Sequence, residues 1–171
     1  MRVLIGCECS GTVRNAFRSR GHDAWSCDVQ PADDDSEYHI QGDVRDWLAG
    51  GVEHFDSWGL IIAHPPCTFI SRAGARHMYP QAGVLNEDRY AQGLDAVQFF
   101  YDCLNAPAKY IAVENPTPLK VFALPEPDCV IQPYQFGHPY SKRTLLWLRN
   151  LPALQPTQLI EDYKPYLPSN T

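Results

Sequence analysis

The chain reads as an α/β fold, a mostly parallel sheet with helices on both faces. Two observations predict it. Short β-rich apolar runs recur, at Val3-Leu4-Ile5, Leu60-Ile61-Ile62-Ala63 and Tyr110-Ile111-Ala112-Val113, each bounded by breakers. They are continuous rather than alternating, which marks strands buried on both faces. Helical segments fall between them, so successive runs form βαβ units.

The elements follow in order. Val3 to Ile5 is the first strand. Ser10-Gly11 opens a helix over 12–20, with Val13, Ala16 and Phe17 on one face and Gly21 ending it. Ala24 to Cys27 is the second strand, ending at Asp28. The stretch 31–37, with Asp33, Asp34, Asp35 and Glu37, reads as a solvated loop. Tyr38-His39-Ile40 is a short third strand, followed by Gly42-Asp43. Residues 45–48 form a helical turn stopped by Gly50-Gly51. Leu60 to Ala63 is the fourth strand. The stretch 68–86, with Gly74, Pro80 and Gly83, shows no period and reads as a long functional loop. The strongest helix covers 87–104, with Ala91, Leu94, Val97, Phe100 and Tyr101 on its apolar face. Pro107 precedes a strand over 109–113. Two weaker strands lie near Val130-Ile131 and over 144–148.

The 171 residues fit one domain, 1–171, with a short Pro-rich tail at 151–171. A hydrophobic content of 44% and a charged content of 20% are those of an ordinary globular protein. No apolar stretch approaches a membrane span, and the N-terminus starts a strand rather than a signal peptide, so the chain reads as cytoplasmic. Six cysteines with no CxxC pair make neither a disulfide framework nor a zinc site, and no metal is expected. Cys7, Cys27, Cys103 and Cys129 read as small buried hydrophobes. The net charge of −6 is awkward for a duplex binder, although Arg72, Arg76 and His77 form one basic cluster and Lys142, Arg143 and Arg149 another.

Two strand tips carry the chemistry. The fourth strand runs into His64-Pro65-Pro66-Cys67-Thr68-Phe69-Ile70-Ser71, which sets a cysteine just past two prolines. The strand over 109–113 runs into Glu114-Asn115-Pro116. Ligands of open α/β sheets sit at the carboxyl ends of strands, so a nucleophile and an acid reach the same sheet edge.

In this order the motifs resemble the C5-cytosine DNA methyltransferases. Pro66-Cys67 is similar to the family's nucleophile motif, with Ser71 four residues beyond it. Glu114-Asn115 is similar to the Glu-Asn dipeptide at the end of the next strand. Ser141-Lys142-Arg143-Thr144-Leu145-Leu146-Trp147-Leu148 resembles the Arg-containing segment before an apolar strand. The resemblance covers 1–150 and implies a Rossmann-like S-adenosylmethionine-dependent methyltransferase sheet.

The chemistry needs these residue types. C5 of cytosine is a poor nucleophile until a thiolate adds to C6 and converts the ring to an enamine. Cys67 would add and later leave, as a thiolate does readily. Glu114 would stabilise N3 as a proton-sharing acid, and Arg143 would face O2 as an always-charged donor. A protonated acid complements the acceptor N3 of cytosine better than the N3–H of uracil. The residues give no base for the C5 proton.

The resemblance extends to the cofactor half. Glu8, Cys9, Ser10 and Gly11 resemble the turn after the first strand, where small residues let backbone approach a ligand. Asp28 matches the acid that holds the ribose hydroxyls, Asp43 the acid near the adenine amino group, and Pro65 joins the pocket. Arg72 and Arg76 would reach phosphate as the loop 68–86 closes over a flipped base, with Asn115 also on the substrate side.

The chain departs from the family in two places. Tyr140 and Ser141 stand where the family has a glutamine and an earlier arginine. Only 151–171 follow the Arg-containing segment, where the family carries a target-recognition region and a final motif. The expected partner is therefore single-stranded or weakly sequence-specific DNA, with a recognition subunit in trans as one source of specificity. A minimal protein of this kind is the sort of gene phages carry. Modification of a free pyrimidine nucleotide and a non-catalytic binding subunit are the competing readings. An amino-methyltransferase ranks below them, because a cysteine stands where an aromatic would follow Pro-Pro. An oxidoreductase ranks lowest, because no GxGxxG follows the first strand.

Overall fold

A computed structural model describes residues 1–49 and 57–166. Chain order runs β1 (Arg2–Gly6), α1 (Thr12–Arg18), β2 (Asp23–Asp28), β3 (His39–Gln41), β4 (Leu60–Ala63), α2 (Ala75–Met78), α3 (Glu87–Leu104), β5 (Tyr110–Asn115), β6 (Cys129–Ile131), β7 (Tyr140–Ser141), β8 (Thr144–Arg149) and β9 (Lys164–Pro165). Seven strands form one sheet in the order β3-β2-β1-β4-β5-β8-β6, and β7 pairs with β9 apart from it. β1 to β5 are parallel, and β8 runs antiparallel between β5 and β6.

The apolar runs explain the layers. Side chains alternate across a strand, so one run serves two faces. Val3, Ile5, Ala24 and Leu60 pack on one side with Val13 and Phe17 of α1. Leu4, Ile61, Ile111 and Val113 pack on the other with Phe100 and Cys103 of α3. Phe100 meets Trp147 of β8 edge-on, with ring centroids 4.9 Å apart. Helices thus cover both faces. The strand order reverses between β1 and β4, the switch point where such sheets bind ligands.

Several boundaries and faces differ from expectation. α1 ends at Arg18, and the 19–22 turn closes through Gly21 N–H on the Arg18 carbonyl and His22 N–H on Phe17. β3 begins at His39, although the Tyr38 carbonyl still accepts from Ser26 N at 3.0 Å and its ring packs edge-on against Trp25. The turn after Asp43 is a short 3-10 segment, Val44–Asp46. Gly50-Gly51 and 167–171 lie outside the described residues. The buried face of α3 is Gly93, Phe100 and Cys103, whereas Leu94 is 47% exposed and Ala91 is also exposed. The face turns because the Phe122 ring fills the space above Gly93, where a Cβ would lie 2.1 Å from its Cζ.

The acidic stretch is not merely solvated. Arg14, wholly buried, pairs with Asp34 and donates to the Ser26 hydroxyl at 2.8 Å. A buried guanidinium needs such partners. The pair holds the Asp34 carboxyl below its usual range, and the Asp33 N–H reaches the Cys9 carbonyl at 3.0 Å.

Removing the Phe100 ring leaves a cavity under Trp147. Phe100→Ala is expected to lower stability by about 3–5 kcal/mol in urea unfolding. Leu94→Ala, on the exposed side, is expected to stay within about 0.5 kcal/mol.

Candidate active site

β4 delivers Cys67 through a tight turn. The His64 N–H donates to the Gly6 carbonyl at 3.0 Å, extending the β1–β4 pairing one step past the strand. Pro65 is buried, and its carbonyl accepts the Asn115 Nδ2–H at 3.2 Å. Asn115 has no exposed surface, so this bond ties the turn to the end of β5. The Cys67 carbonyl then accepts from Ile70 N at 3.1 Å and Ser71 N at 2.8 Å, winding 67–71 into a turn. Two prolines before it hold the backbone extended.

The Cys67 thiol is half-buried. Burial pushes its pKa up from the ordinary value, and the Glu114 carboxylate pushes the same way. A backbone hydrogen bond, the Lys142 ammonium and a hydrogen bond with Ser71 pull it down, without cancelling the rise. Cys67 is therefore a thiol at neutral pH in the free protein. Among the other cysteines, burial pushes Cys27 and Cys103 to about 12. Cys7 and Cys129 are half-buried rather than buried, and Cys7 sits on the floor of the cleft described below.

β5 delivers the acid. Its Oε2 lies 3.3 Å from Nδ1 of His64, and both side chains are partly exposed. Glu114 pairs with Leu146 of β8. Alternation along β8 puts Thr144 on the Glu114 side and Leu145 and Trp147 on the other. Lys142, in the link between β7 and β8, bears on Cys67. Arg143 lines a separate hollow of about 380 Å³ with Leu145, Trp147 and the 117–127 segment. The structure brings Cys67, Ser71, Glu114 and Lys142 together, and sends Arg143 elsewhere.

The tail fixes Lys142. β9 pairs with β7 beside it, and the Tyr166 N–H donates to the Ser141 carbonyl at 2.9 Å. Lys142 Nζ lies 5.6 Å from the Tyr166 ring centroid. Tyr163 stacks on Tyr134 at 3.9 Å. Residues 157–166 are thus a brace for the segment that precedes β8.

A cleft opens at the switch point in two joined hollows that share Cys7 and Asp28. One, of about 180 Å³, is walled by Val29, Val44, Pro66 and Phe99, with Asp43 and Arg45 at its edge. The other, of about 310 Å³, is lined by Glu8, Cys9, Ser10, Thr12, Val13 and His64. The first suits a flat ring between apolar walls. The second is acidic. Glu8 turns its carboxylate into the start of α1, where Oε1 accepts from Val13 N at 2.6 Å and Oε2 from Arg14 N at 3.2 Å. With these donors taken, α1 offers little to a phosphate. Asp43 accepts from the Arg45 backbone and guanidinium, which holds its carboxyl below the usual range. Gly11 has φ +68°, and a Cβ there would strike the Arg14 guanidinium, so the turn admits only glycine without rearrangement.

The remaining expected residues fall apart from this cluster. Arg72 and Arg76 are exposed, and Arg72 lines a hollow with Tyr79 and 117–121. The stretch 68–86 is not an open loop. It holds a 3-10 turn, Arg72–Gly74, and α2, and it buries Ile70 and Met78. Leu119 N and Arg72 N clamp it to 117–119 through the Ile70 and Thr117 carbonyls, at 2.7 and 2.8 Å. Arg149 donates to the Leu104, Ala106 and Ala108 carbonyls and is structural. Sequence reasoning missed His64, Lys142, Val29 and Phe99. The signals were a histidine at a strand tip, an apolar residue just past Asp28, and a second cation beside Arg143.

The fold is shared with a crystal structure of a protein described as a prophage-encoded DNA modification methyltransferase of E. coli. The TM-score is 0.50 at 13% identity, over 86% of this chain and 46% of that one. This chain therefore spans under half of that chain's length, and the likeness is one of fold. No protein-family model and no curated protein matches the sequence.

The charges around Cys67 give a test. Thiolate, not thiol, reacts with iodoacetamide, so alkylation of the Cys67 peptide should rise with pH through and above the ordinary thiol range. Glu114→Gln removes a group that raises the thiol pKa and should speed alkylation at pH 8 by about 3–10-fold. Lys142→Ala removes one that lowers it and should slow alkylation by a similar factor. Peptide-resolved mass spectrometry reads both.

Proposed function

We propose that this chain is an S-adenosylmethionine-dependent methyltransferase acting on C5 of cytosine in DNA. The observation that carries this reading is the meeting of Cys67, Glu114 and Lys142 beside the switch-point cleft. A cysteine and a carboxylate on adjacent parallel strand tips match the two ends of one pyrimidine ring. C5 methylation needs a nucleophile at C6 and an acid at N3.

In this reading Cys67 gives up its thiol proton to water and its sulfur bonds to C6. The C5=C6 electron pair moves through C4 onto N3, which takes a proton from Glu114. Lys142 stands by the same ring edge, and its charge favours both the thiolate and the developing charge at O2. When bound, the cofactor supplies the electrophilic methyl group that C5 takes. Water then takes the C5 proton, the freed C–H pair restores the C5=C6 double bond, Cys67 leaves as a thiolate, and the N3 proton returns to Glu114.

The cleft supports the cofactor. Val29, Val44, Pro66 and Phe99 would sandwich adenine, Asp28 would hold the ribose, and the acidic side near Glu8 would face the cationic amino-acid end. S-adenosylmethionine carries no phosphate, which agrees with an α1 start already occupied by Glu8. A dinucleotide lacks that agreement. DNA is the proposed substrate, single-stranded or with weak sequence preference, since a base must leave the stack to meet Cys67. The described residues 1–49 and 57–166 would then act as one catalytic domain.

Transfer of radiolabelled methyl from S-adenosylmethionine tests the reading, with duplex DNA, single-stranded DNA, RNA and dCMP as acceptors. Label is expected on DNA cytosine and is abolished by Cys67→Ala. Lys142→Ala should slow transfer on the order of 10²-fold, and Arg143→Ala by less than about tenfold. Label on dCMP alone would move the substrate to a free nucleotide. Label that survives Cys67→Ala, or none on any acceptor, would overturn the reading.

A further inference from the structure

His64 has no part in the chemistry described so far, yet it stands between the two halves of the site. It is the first residue past β4, and its backbone is pinned to Gly6. Its Nδ1 meets Glu114 Oε2 at 3.3 Å, and its ring lines the acidic hollow with Glu8, Cys9, Ser10 and Asp28. Paired to Glu114 through Nδ1, the ring has Nε2 left to exchange with water or ligand in the cleft. Imidazole is the side chain suited to carrying a proton near neutral pH.

We propose that His64 is the proton donor and acceptor behind Glu114. The proposal rests on the methyltransferase reading above. In the resting pair His64 carries the proton on Nδ1 and Glu114 is a carboxylate. As the Cys67–C6 bond forms, N3 takes a proton from Glu114, and Glu114 takes one from His64 Nδ1, leaving a neutral imidazole. When the C5=C6 bond re-forms and the C6–S bond breaks, the N3 proton returns to Glu114 and the His64 proton to Nδ1. The N3 proton is thus supplied and recovered by the pair, while the C5 proton leaves separately to water. His64 acts through Glu114 and is a positioning and proton-relay residue rather than a group that touches the base.

The charged groups around it are consistent. Glu114 faces it from β5. Asp28 faces it from β2, and Glu8 with Cys7 and Cys9 from the turn after β1. Lys142 lies beyond Glu114, on the Cys67 side, and acts on the thiol.

A readout independent of methyl transfer tests the relay. Without any methyl donor, addition and departure of Cys67 exchanges the C5 hydrogen. Tritium release from a single-stranded oligonucleotide carrying [5-³H]cytosine follows it, beside methyl transfer to the same strand. His64→Gln keeps a hydrogen-bond donor to Glu114 but carries no exchangeable charge. Wild type should release tritium, and Cys67→Ala and Glu114→Gln should not. His64→Gln should lose on the order of 10²-fold in kcat at pH 8, less at pH 6, with KM for the strand unchanged. His64→Gln matching wild type at every pH, with Glu114→Gln inactive, would overturn the relay and leave the methyltransferase reading standing. A uniform loss at all pH values would also overturn it, as a structural defect. Neither tritium release nor methyl transfer by wild type would overturn both.

Discussion

The site depends first on the parallel pairing of β4 with β5, closed at its end by the Asn115 side chain on the Pro65 carbonyl. That bond fixes where Cys67 lies relative to Glu114, because Cys67 follows Pro65 by two residues and Glu114 immediately precedes Asn115. Asn115 is wholly buried, and its Oδ1 has no hydrogen-bond partner among the described protein atoms. A buried acceptor left unpaired costs roughly 1–3 kcal/mol. Such a cost persists where the surrounding structure over-determines the position. The buried runs Leu60–Ala63 and Tyr110–Val113 do so from below.

Next to that clamp, Lys142 in the link between β7 and β8 supplies the cation that acts on the thiol. Charge also divides the sheet edge. Carboxylates crowd the β1–β2 side, and Glu8 quenches the start of α1 with its own side chain. The cleft there favours a cationic, phosphate-free ligand. Cys67 sits one strand over. His64 occupies the boundary, with Glu114 on one side and the acidic hollow on the other.

The sheet was legible because its strands are short, apolar and continuous. The positions of Cys67 and Glu114 were legible for the same reason, since each follows directly from where a buried run stops. Less was legible where a contact spans the chain. Lys142 and Arg143 are neighbours, and only the path of the link between β7 and β8, braced by Tyr166 and β9, separates them. His64 looked like the entry to a proline turn because Glu114 lies fifty positions away. Gly93 has no side chain to mark a helix face, yet Phe122 packs over it and turns Leu94 outward. Asp34 looked like part of a solvated run until the buried Arg14 claimed it. Arg149 reads as a surface cation by type, but its two terminal nitrogens donate to three carbonyls that end α3 and precede β5.

In the proposed function Cys67 and Glu114 work on one ring. The most direct measurement is covalent capture by a single-stranded oligonucleotide with 5-fluorocytosine, in the presence of S-adenosylmethionine. Fluorine at C5 cannot leave as a proton does, so the C6–S bond persists once the methyl has moved. The account predicts a denaturation-resistant adduct that peptide mapping assigns to Cys67 and that Glu114→Gln fails to form. No adduct, or one on another cysteine, would contradict it.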